Sequence, residues 1–82
     1  MSDQCLGDRV ARTLGGQIRA ARRDLGMSQF DLGEMLGIGE DYLGRTEQGH
    51  HPRYFNRLVE MLDAVGLALI AVPKSTLPTA DD

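Results

Sequence analysis

The stretch "MSQFDLGEMLGIGEDYLGRTEQG", residues 27–49, contains two short helical patterns separated by a glycine-rich turn. Ser28 stands just before the first pattern, and Asp31 follows three residues later, a spacing that caps helix N-termini. Gly37 can end this helix because glycine readily adopts the left-handed backbone conformation. A second helical pattern follows over residues 40–48. The stretch therefore predicts two helices joined by a tight turn.

A glycine-rich phosphate-binding loop is the rival interpretation of the same stretch. Gly37, Gly39 and Gly44 give the spacing G-x-G-x-x-x-x-G, which differs from the dinucleotide-binding G-x-G-x-x-G. No strand pattern precedes these glycines, and no Lys-Ser or Lys-Thr pair ends the loop. Two crossing helices fit better, with Gly33 small where the second helix must approach and Leu43 as the apolar anchor of that helix.

Further helical patterns flank this pair. The segment "TLGGQIRAARRDLG", residues 13–26, has apolar residues at helical spacing, with Thr13 as a candidate cap. Because glycine costs about 1 kcal/mol in a helix interior, the pair at positions 15 and 16 predicts that the firm part begins near Gln17. Residues 53–65 carry apolar positions at i, i+3, i+4 and i+7, the clearest amphipathic helix of the chain.

The apolar segment "LALIAV", residues 67–72, is too short for another packed helix and lies between Gly66 and Pro73. The sequence predicts an extended strand there. A lone strand leaves its backbone groups unpaired, and the chain has no second strand pattern, so we expect it to pair with the same strand of a second subunit. The expected dimer interface is Leu67, Ala68, Leu69, Ile70, Ala71 and Val72.

The predicted fold is mostly all-α, with four helices and this short C-terminal strand. A helix-turn-helix domain is expected over residues 13–66 and a dimerisation strand over residues 67–73. Residues 1–12 and 74–82 are expected to be flexible tails.

Composition argues against several classes of function. The chain has 82 residues and a formal net charge of −3, so its overall charge does not indicate a nucleic-acid ligand. The single Cys5 cannot form an internal disulfide, which favours a reducing, cytoplasmic compartment. His50 and His51 are adjacent but have no third ligand in view, so neither a metal nor another cofactor is expected. No apolar run reaches membrane-spanning length, and no nucleophile and base are spaced for catalysis, so neither a membrane partner nor an enzyme is predicted.

The segment "IRAARRDLGMSQFDLGEMLGIGEDYLGRTEQG", residues 18–49, resembles the Xre/Cro-type helix-turn-helix DNA-binding proteins over about 32 positions in register. The resemblance implies a lambda-repressor-like domain whose second motif helix lies in the major groove of double-stranded DNA. It also implies a buried ion pair between Arg22 and Glu47. The residues that it places near DNA are Ser28, Gln29, Gly39, Glu40, Asp41, Gly44, Arg45, His50, His51 and Arg53.

Those positions differ in their implied roles. Gln29 is expected to contact a phosphate, while Ser28 caps its helix so that the amide end faces the DNA backbone. Base readout would depend on Arg45, whose guanidinium can pair with guanine O6 and N7. For Glu40 and Asp41 two interpretations stay open: a carboxylate that accepts a hydrogen bond from cytosine N4, or an acidic first turn favoured by the helix dipole.

The chain departs from the family pattern at three places. Thr46 stands where an apolar residue is usual, which predicts looser packing of the second motif helix. Gly39 and Gly44 replace residues that often touch DNA. The acids at positions 40 and 41 repel phosphate.

The final segment "RLVEMLDAVGLALIAVPK", residues 57–74, resembles the C-terminal part of HipB-like antitoxins. That resemblance implies a homodimeric repressor of its own operon, bound to a palindromic operator in the nucleoid and to a kinase-like toxin. A stand-alone or phage-type regulator without a toxin remains an alternative. A second alternative is a protein interaction module that has lost DNA binding, suggested by the acidic residues Glu40 and Asp41.

Overall fold

The structure, a computed structural model, describes residues 5–78 and contains four α helices followed by one 3₁₀ turn. The helices are α1 (Leu6–Asp24), α2 (Gln29–Leu36), α3 (Glu40–Glu47) and α4 (Arg53–Ala64), and the 3₁₀ turn is Lys74–Thr76. The predicted four-helix, mostly all-α class is confirmed. Helix α1 packs against both α3 and α4, and α2 packs against α3.

Helix α1 is longer than the sequence predicts, because it begins at Leu6 within the expected N-terminal tail. Two contacts order this end: the backbone N–H of Gly7 donates to Asn56 Oδ1 of α4 at 2.7 Å, and Ala11 belongs to the core. Residues 6–12, which the sequence assigns to a flexible tail, thus form the first part of α1. For residues 1–4 the flexible-tail prediction lies outside the described residues.

The adjacent glycines at positions 15 and 16 do not interrupt α1, because the first of this pair serves tertiary packing. Gly15 is buried against the C-terminal end of α3, where an added Cβ would collide with the carbonyl oxygen of Thr46 and lie 2.7 Å from that of Glu47. The cost of glycine in the helix interior is thus offset by close approach of two backbones.

The predicted cap and turn of the central pair are confirmed. Asp31 N–H donates to Ser28 Oγ at 2.9 Å, and Ser28 N–H donates to Asp31 Oδ2 at 3.0 Å, which completes a reciprocal capping box. Gly37 ends α2 with a φ of 72°, in the left-handed region. Gly33 is buried, and a Cβ there would lie 2.7 Å from the Ile38 carbonyl oxygen. Its small size lets the turn fold back over α2.

The core of this domain is small. Its buried apolar residues among the described residues are Ala11 of α1, Leu43 of α3 and Val59 of α4. Three helices thus each supply one buried apolar residue, and the remaining apolar side chains are partly exposed. A chain of this length buries only roughly 60% of the surface that its unfolded form exposes, so such a core is the expected outcome.

The expected strand over residues 67–73 is not supported. Within residues 5–78 the structure contains no strand, and the segment runs without regular secondary structure beside α1, where Gln17 Nε2 donates to the Ala71 carbonyl at 3.2 Å. The physical reason is that a strand requires a hydrogen-bonded partner and a single chain offers none here. The expected C-terminal tail includes the turn Lys74–Thr76, and its last residues, 79–82, lie outside the described residues.

Candidate nucleic-acid interface

The inner face of α3 is fixed by a buried ion pair with α1. Arg22 Nε donates to Glu47 Oε2 at 2.7 Å, and Arg22 Nη2 donates to Glu47 Oε1 at 3.0 Å, while only 7% and 2% of the two side chains are exposed. Arg22 Nη1 also donates to the Met27 carbonyl at 2.8 Å. The structure thus brings together the two residues that the resemblance pairs, with the guanidinium satisfied on two sides.

This ion pair also sets the protonation state of Glu47. The hydrogen bonds from Arg22 are the main cause that lowers the pKa of Glu47 below its ordinary value, although burial acts in the opposite direction. A hydrogen bond from Gln29 adds to the lowering. Glu47 is therefore a charged structural group in the folded protein and faces the interior.

Gln29, the first residue of α2, lies against α3 and is half-buried. Its Nε2 donates to Glu47 Oε1 at 3.1 Å, so one of the two N–H donors of its amide is used inside the protein. The sequence predicts only a phosphate contact for Gln29, and no local pattern indicates this bond to a residue 18 positions away. The second donor of the amide is what remains for a ligand.

The outer face of α3 is exposed. Glu40, Asp41 and Arg45 project from it, and Gly39 stands before its first turn as the N-cap without a side-chain hydrogen bond. These residues meet α2 in a shallow surface depression. Its lining consists of Gln29, Glu40, Asp41, Gly44, Arg45 and Gln48. Five of the ten residues that the resemblance places near DNA therefore line one depression.

Thr46, the unusual polar residue of α3, is accommodated without an unsatisfied hydroxyl. Its Oγ1 donates to the Tyr42 carbonyl one turn earlier at 3.0 Å, and the side chain is half-buried. Such bonds within a helix are a common solution for threonine. The predicted loosening of α3 is not tested by this contact.

The three residues after α3 that the resemblance places near DNA differ in exposure. His50 and Arg53 are exposed, whereas His51 is half-buried and turned toward α1. His51 Nε2 lies 2.6 Å from Asp8 Oδ1, and Nδ1 lies 3.1 Å from the Pro52 carbonyl oxygen. The structure thus gives His51 a partner within the chain, while its expected position near a phosphate stays a prediction.

Each partner shifts the pKa of the other. The hydrogen bond to Asp8 is the largest cause that raises the pKa of His51, followed by the bond to the Pro52 carbonyl. The pKa of Asp8 is lowered, first by His51 and then by a hydrogen bond from the Cys5 side chain. Asp8 and Cys5 are functional candidates that sequence reasoning missed, because they lie within the expected tail, and no local pattern links Asp8 to a residue 43 positions away.

Helices α2 and α3 form a helix-turn-helix unit in which one face of α3 packs against α1 and the opposite face is exposed. A family model described as a helix-turn-helix domain matches residues 13–71, and the chain belongs to this family. Membership supports a DNA-binding protein of the helix-turn-helix type. No curated protein and no solved structure matches the chain significantly. Among the described residues, no helix is long and apolar enough to cross a membrane.

Proposed function

We propose that this protein is a sequence-specific transcriptional repressor of the Xre/Cro type that binds DNA as a homodimer. The observation that carries the proposal is the division of α3 into two faces. Glu47 and Leu43 are buried against α1 and the core, which leaves Arg45 exposed beside Gln29 in one depression. A helix whose inner face is anchored in the core and whose outer face exposes an arginine can enter the major groove and pair with guanine.

The net charge of −3 requires that binding depend on local charge. Arg45 and Arg53 supply exposed positive charge near α3, whereas Glu40 and Asp41 oppose phosphate at its N-terminus. The proposed complex therefore gains affinity from base contacts and from a second subunit more than from overall attraction. No catalytic step is part of the proposed role.

The homodimer is supported by the C-terminal apolar segment. Leu67, Ile70 and Val72 are exposed in the single chain, an arrangement that costs free energy unless another surface covers them. Pairing of residues 67–73 with the same segment of a second copy would cover these side chains and supply the missing strand partner. Two copies of α3 would then address half-sites ~34 Å apart on a palindrome.

The antitoxin role rests on the resemblance of residues 57–74 to HipB-like proteins, with a kinase-like toxin as the partner. Co-expression with the product of a neighbouring reading frame tests it, and the expected result is a stable complex that also binds the operator. If the neighbouring frames encode no toxin and nothing co-purifies, the stand-alone regulator replaces the antitoxin, while the DNA-binding proposal is unaffected.

A fluorescence anisotropy titration against the DNA upstream of the protein's own gene, with a shuffled duplex as control, tests DNA binding. We expect tighter binding to the upstream DNA and an affinity that falls as salt rises, with a slope that reports the phosphates neutralised. Equal affinity for both duplexes would remove sequence specificity. Absence of binding even at low salt would favour the interaction module, for which Glu40 and Asp41 are the motivating residues.

The dimer has its own test. Ile70 and Val65 are each 70% exposed in the single chain, so neither Ile70→Glu nor Val65→Glu should disturb the fold of one subunit. Analytical ultracentrifugation should show dimers for the parent and for Val65→Glu, and monomers for Ile70→Glu. A dimer that survives Ile70→Glu would contradict pairing through residues 67–73.

A further inference from the structure

Three side chains with metal-binding chemistry meet where the first turn of α1 approaches the loop after α3. Cys5 Sγ, a carboxylate oxygen of Asp8 and an imidazole nitrogen of His51 all lie within 4.8 Å of one another. Cys5 is the N-cap of α1, Asp8 lies in its first turn, and His51 precedes α4. All three residues are half-buried, so they are reachable from solvent yet held by the start of α1 and the loop after α3.

The orientation of His51 suits a metal ligand. Its Nδ1 lies 3.1 Å from the Pro52 carbonyl oxygen, which can accept the Nδ1–H, so that Nε2 can bind a cation in place of its proton. Metal-binding histidines usually donate their other ring N–H to a carbonyl or carboxylate, which fixes the ring. Nε2 points at Asp8 Oδ1, at 2.6 Å, and therefore toward the other two candidate ligands.

We propose that Cys5 Sγ, Asp8 Oδ1 and His51 Nε2 form a binding site for a divalent transition-metal cation of the Zn²⁺ class. One thiolate, one imidazole and one carboxylate are the ligand types that Zn²⁺ accepts, whereas Mg²⁺ and Ca²⁺ prefer oxygen alone. Two negative charges, on Cys5 and Asp8, would balance the cation. Water would complete the four-coordinate shell.

Only a small movement separates the present arrangement from a tetrahedral site. Zn²⁺ bonds of about 2.0–2.2 Å to nitrogen and oxygen require those two atoms to stand about 3.3 Å apart, so the contact between His51 and Asp8 must open slightly. The cation would replace the proton that the two groups share, and the Cys5 thiol would lose its proton on binding.

The site would join the start of α1 to the loop that leads into α4. These segments are 43 residues apart in sequence at Asp8 and His51, so the cation would be a tertiary crosslink. It would stabilise the folded state by mass action, because a preformed cluster does not exist in the unfolded chain. The inference does not depend on DNA binding.

Zinc titration of the tag-free, full-length chain in competition with a chromophoric indicator tests the site, after chelator treatment and in a non-thiol reductant. We expect one equivalent per chain and a rise in Tm with added Zn²⁺. Cys5→Ser and His51→Gln should each weaken binding by at least about tenfold, since loss of even an outer-shell partner costs 10- to 100-fold. His50→Gln is the matched control, because His50 is adjacent and exposed, and it should bind like the parent.

Cobalt supplies a readout that does not depend on affinity. Co²⁺ bound by the parent should show a thiolate-to-metal charge-transfer band, and Cys5→Ser should lose that band while circular dichroism shows the same helix content. Asp8→Asn retains a hydrogen-bonding side chain, and it therefore controls for a loss of metal binding that is caused by unfolding. The proposal is overturned if the parent binds no more zinc than Cys5→Ser, if cobalt binds without the thiolate band, or if His50→Gln loses as much affinity as His51→Gln. In each case the contact between His51 and Asp8 is an ordinary ion pair.

Discussion

The inner and outer faces of α3 differ in what holds them. The inner face is anchored by Leu43 and by the ion pair between Glu47 and Arg22, all buried. The outer face presents Asp41 and Arg45 to solvent within the same eight-residue helix. The difference teaches that stability and recognition are separable here: changes to the inner face should act through folding, and changes to the outer face through DNA.

The largest effect is expected from Glu47→Ala on the inner face. The substitution leaves a buried arginine without its carboxylate, and breaking a buried pair costs about 3–5 kcal/mol. A domain of this size has roughly 4–12 kcal/mol of unfolding free energy in total, so a large part would be lost. Urea denaturation followed by circular dichroism measures the change. A loss under about 1 kcal/mol would mean that the pair does not brace α3.

The glycine pair of α1 tests how tightly the inner face is packed. Gly15→Ala places a Cβ against the Thr46 and Glu47 carbonyls, and overpacking of this kind costs about 1–3 kcal/mol. Gly16→Ala is the matched control, because its Cβ would meet nothing within 4 Å and should stabilise the helix by about 1 kcal/mol. Opposite signs in thermal unfolding are expected. Two stabilising substitutions would show that α1 and α3 are not in close contact.

Arg45→Ala addresses the outer face. Since Arg45 is exposed, we expect a change of under about 0.5 kcal/mol in unfolding free energy. Loss of a bidentate contact to guanine should cost about 1–3 kcal/mol of binding and relax preference at one base pair. Anisotropy titrations against operator variants measure the loss of binding free energy and the change in base preference. Arg57→Ala, which removes an exposed arginine of α4, is the matched control. Equal loss on every sequence would assign Arg45 to phosphate instead of base readout.

The pH dependence of stability should also separate the faces. Because Arg22 lowers the pKa of Glu47, the folded state holds the proton less readily than the unfolded chain. Stability from this group is therefore complete above the ordinary glutamate pKa and is lost as pH falls through the lowered value. Glu47→Gln should remove that part of the acid dependence in urea titrations across acidic pH.

The features that could be predicted from sequence are those encoded by local spacing. The capping box at Ser28 and the turn at Gly37 need only neighbouring residues, and the amphipathic period of α4 spans a few turns. The start of α1 could not be predicted, because the glycine that weakens the helix locally is required by packing against α3. The contact between Asp8 and His51 likewise arises only after α1 and α4 have docked.

The smallest effect is expected from the acids at the start of α3. Glu40→Gln with Asp41→Asn removes two negative charges near DNA, and it also removes a favourable interaction with the helix dipole that is worth about 0.3–1 kcal/mol per charge. If the acids serve only the dipole, stability falls slightly and binding tightens on all sequences. Glu34→Gln, which removes one exposed negative charge from α2, shows how much of the effect per charge comes from net charge alone.

The opposite outcome of the same titration would support the other interpretation of these acids. A carboxylate that accepts from cytosine N4 discriminates one base pair, so neutralising it should weaken the preferred operator while leaving shuffled DNA unaffected or bound more tightly. The ratio of the two affinities, measured at one salt concentration, therefore decides whether the acids interact only with the helix dipole or also recognise a base. A ratio unchanged from the parent would leave base recognition on the outer face to Arg45.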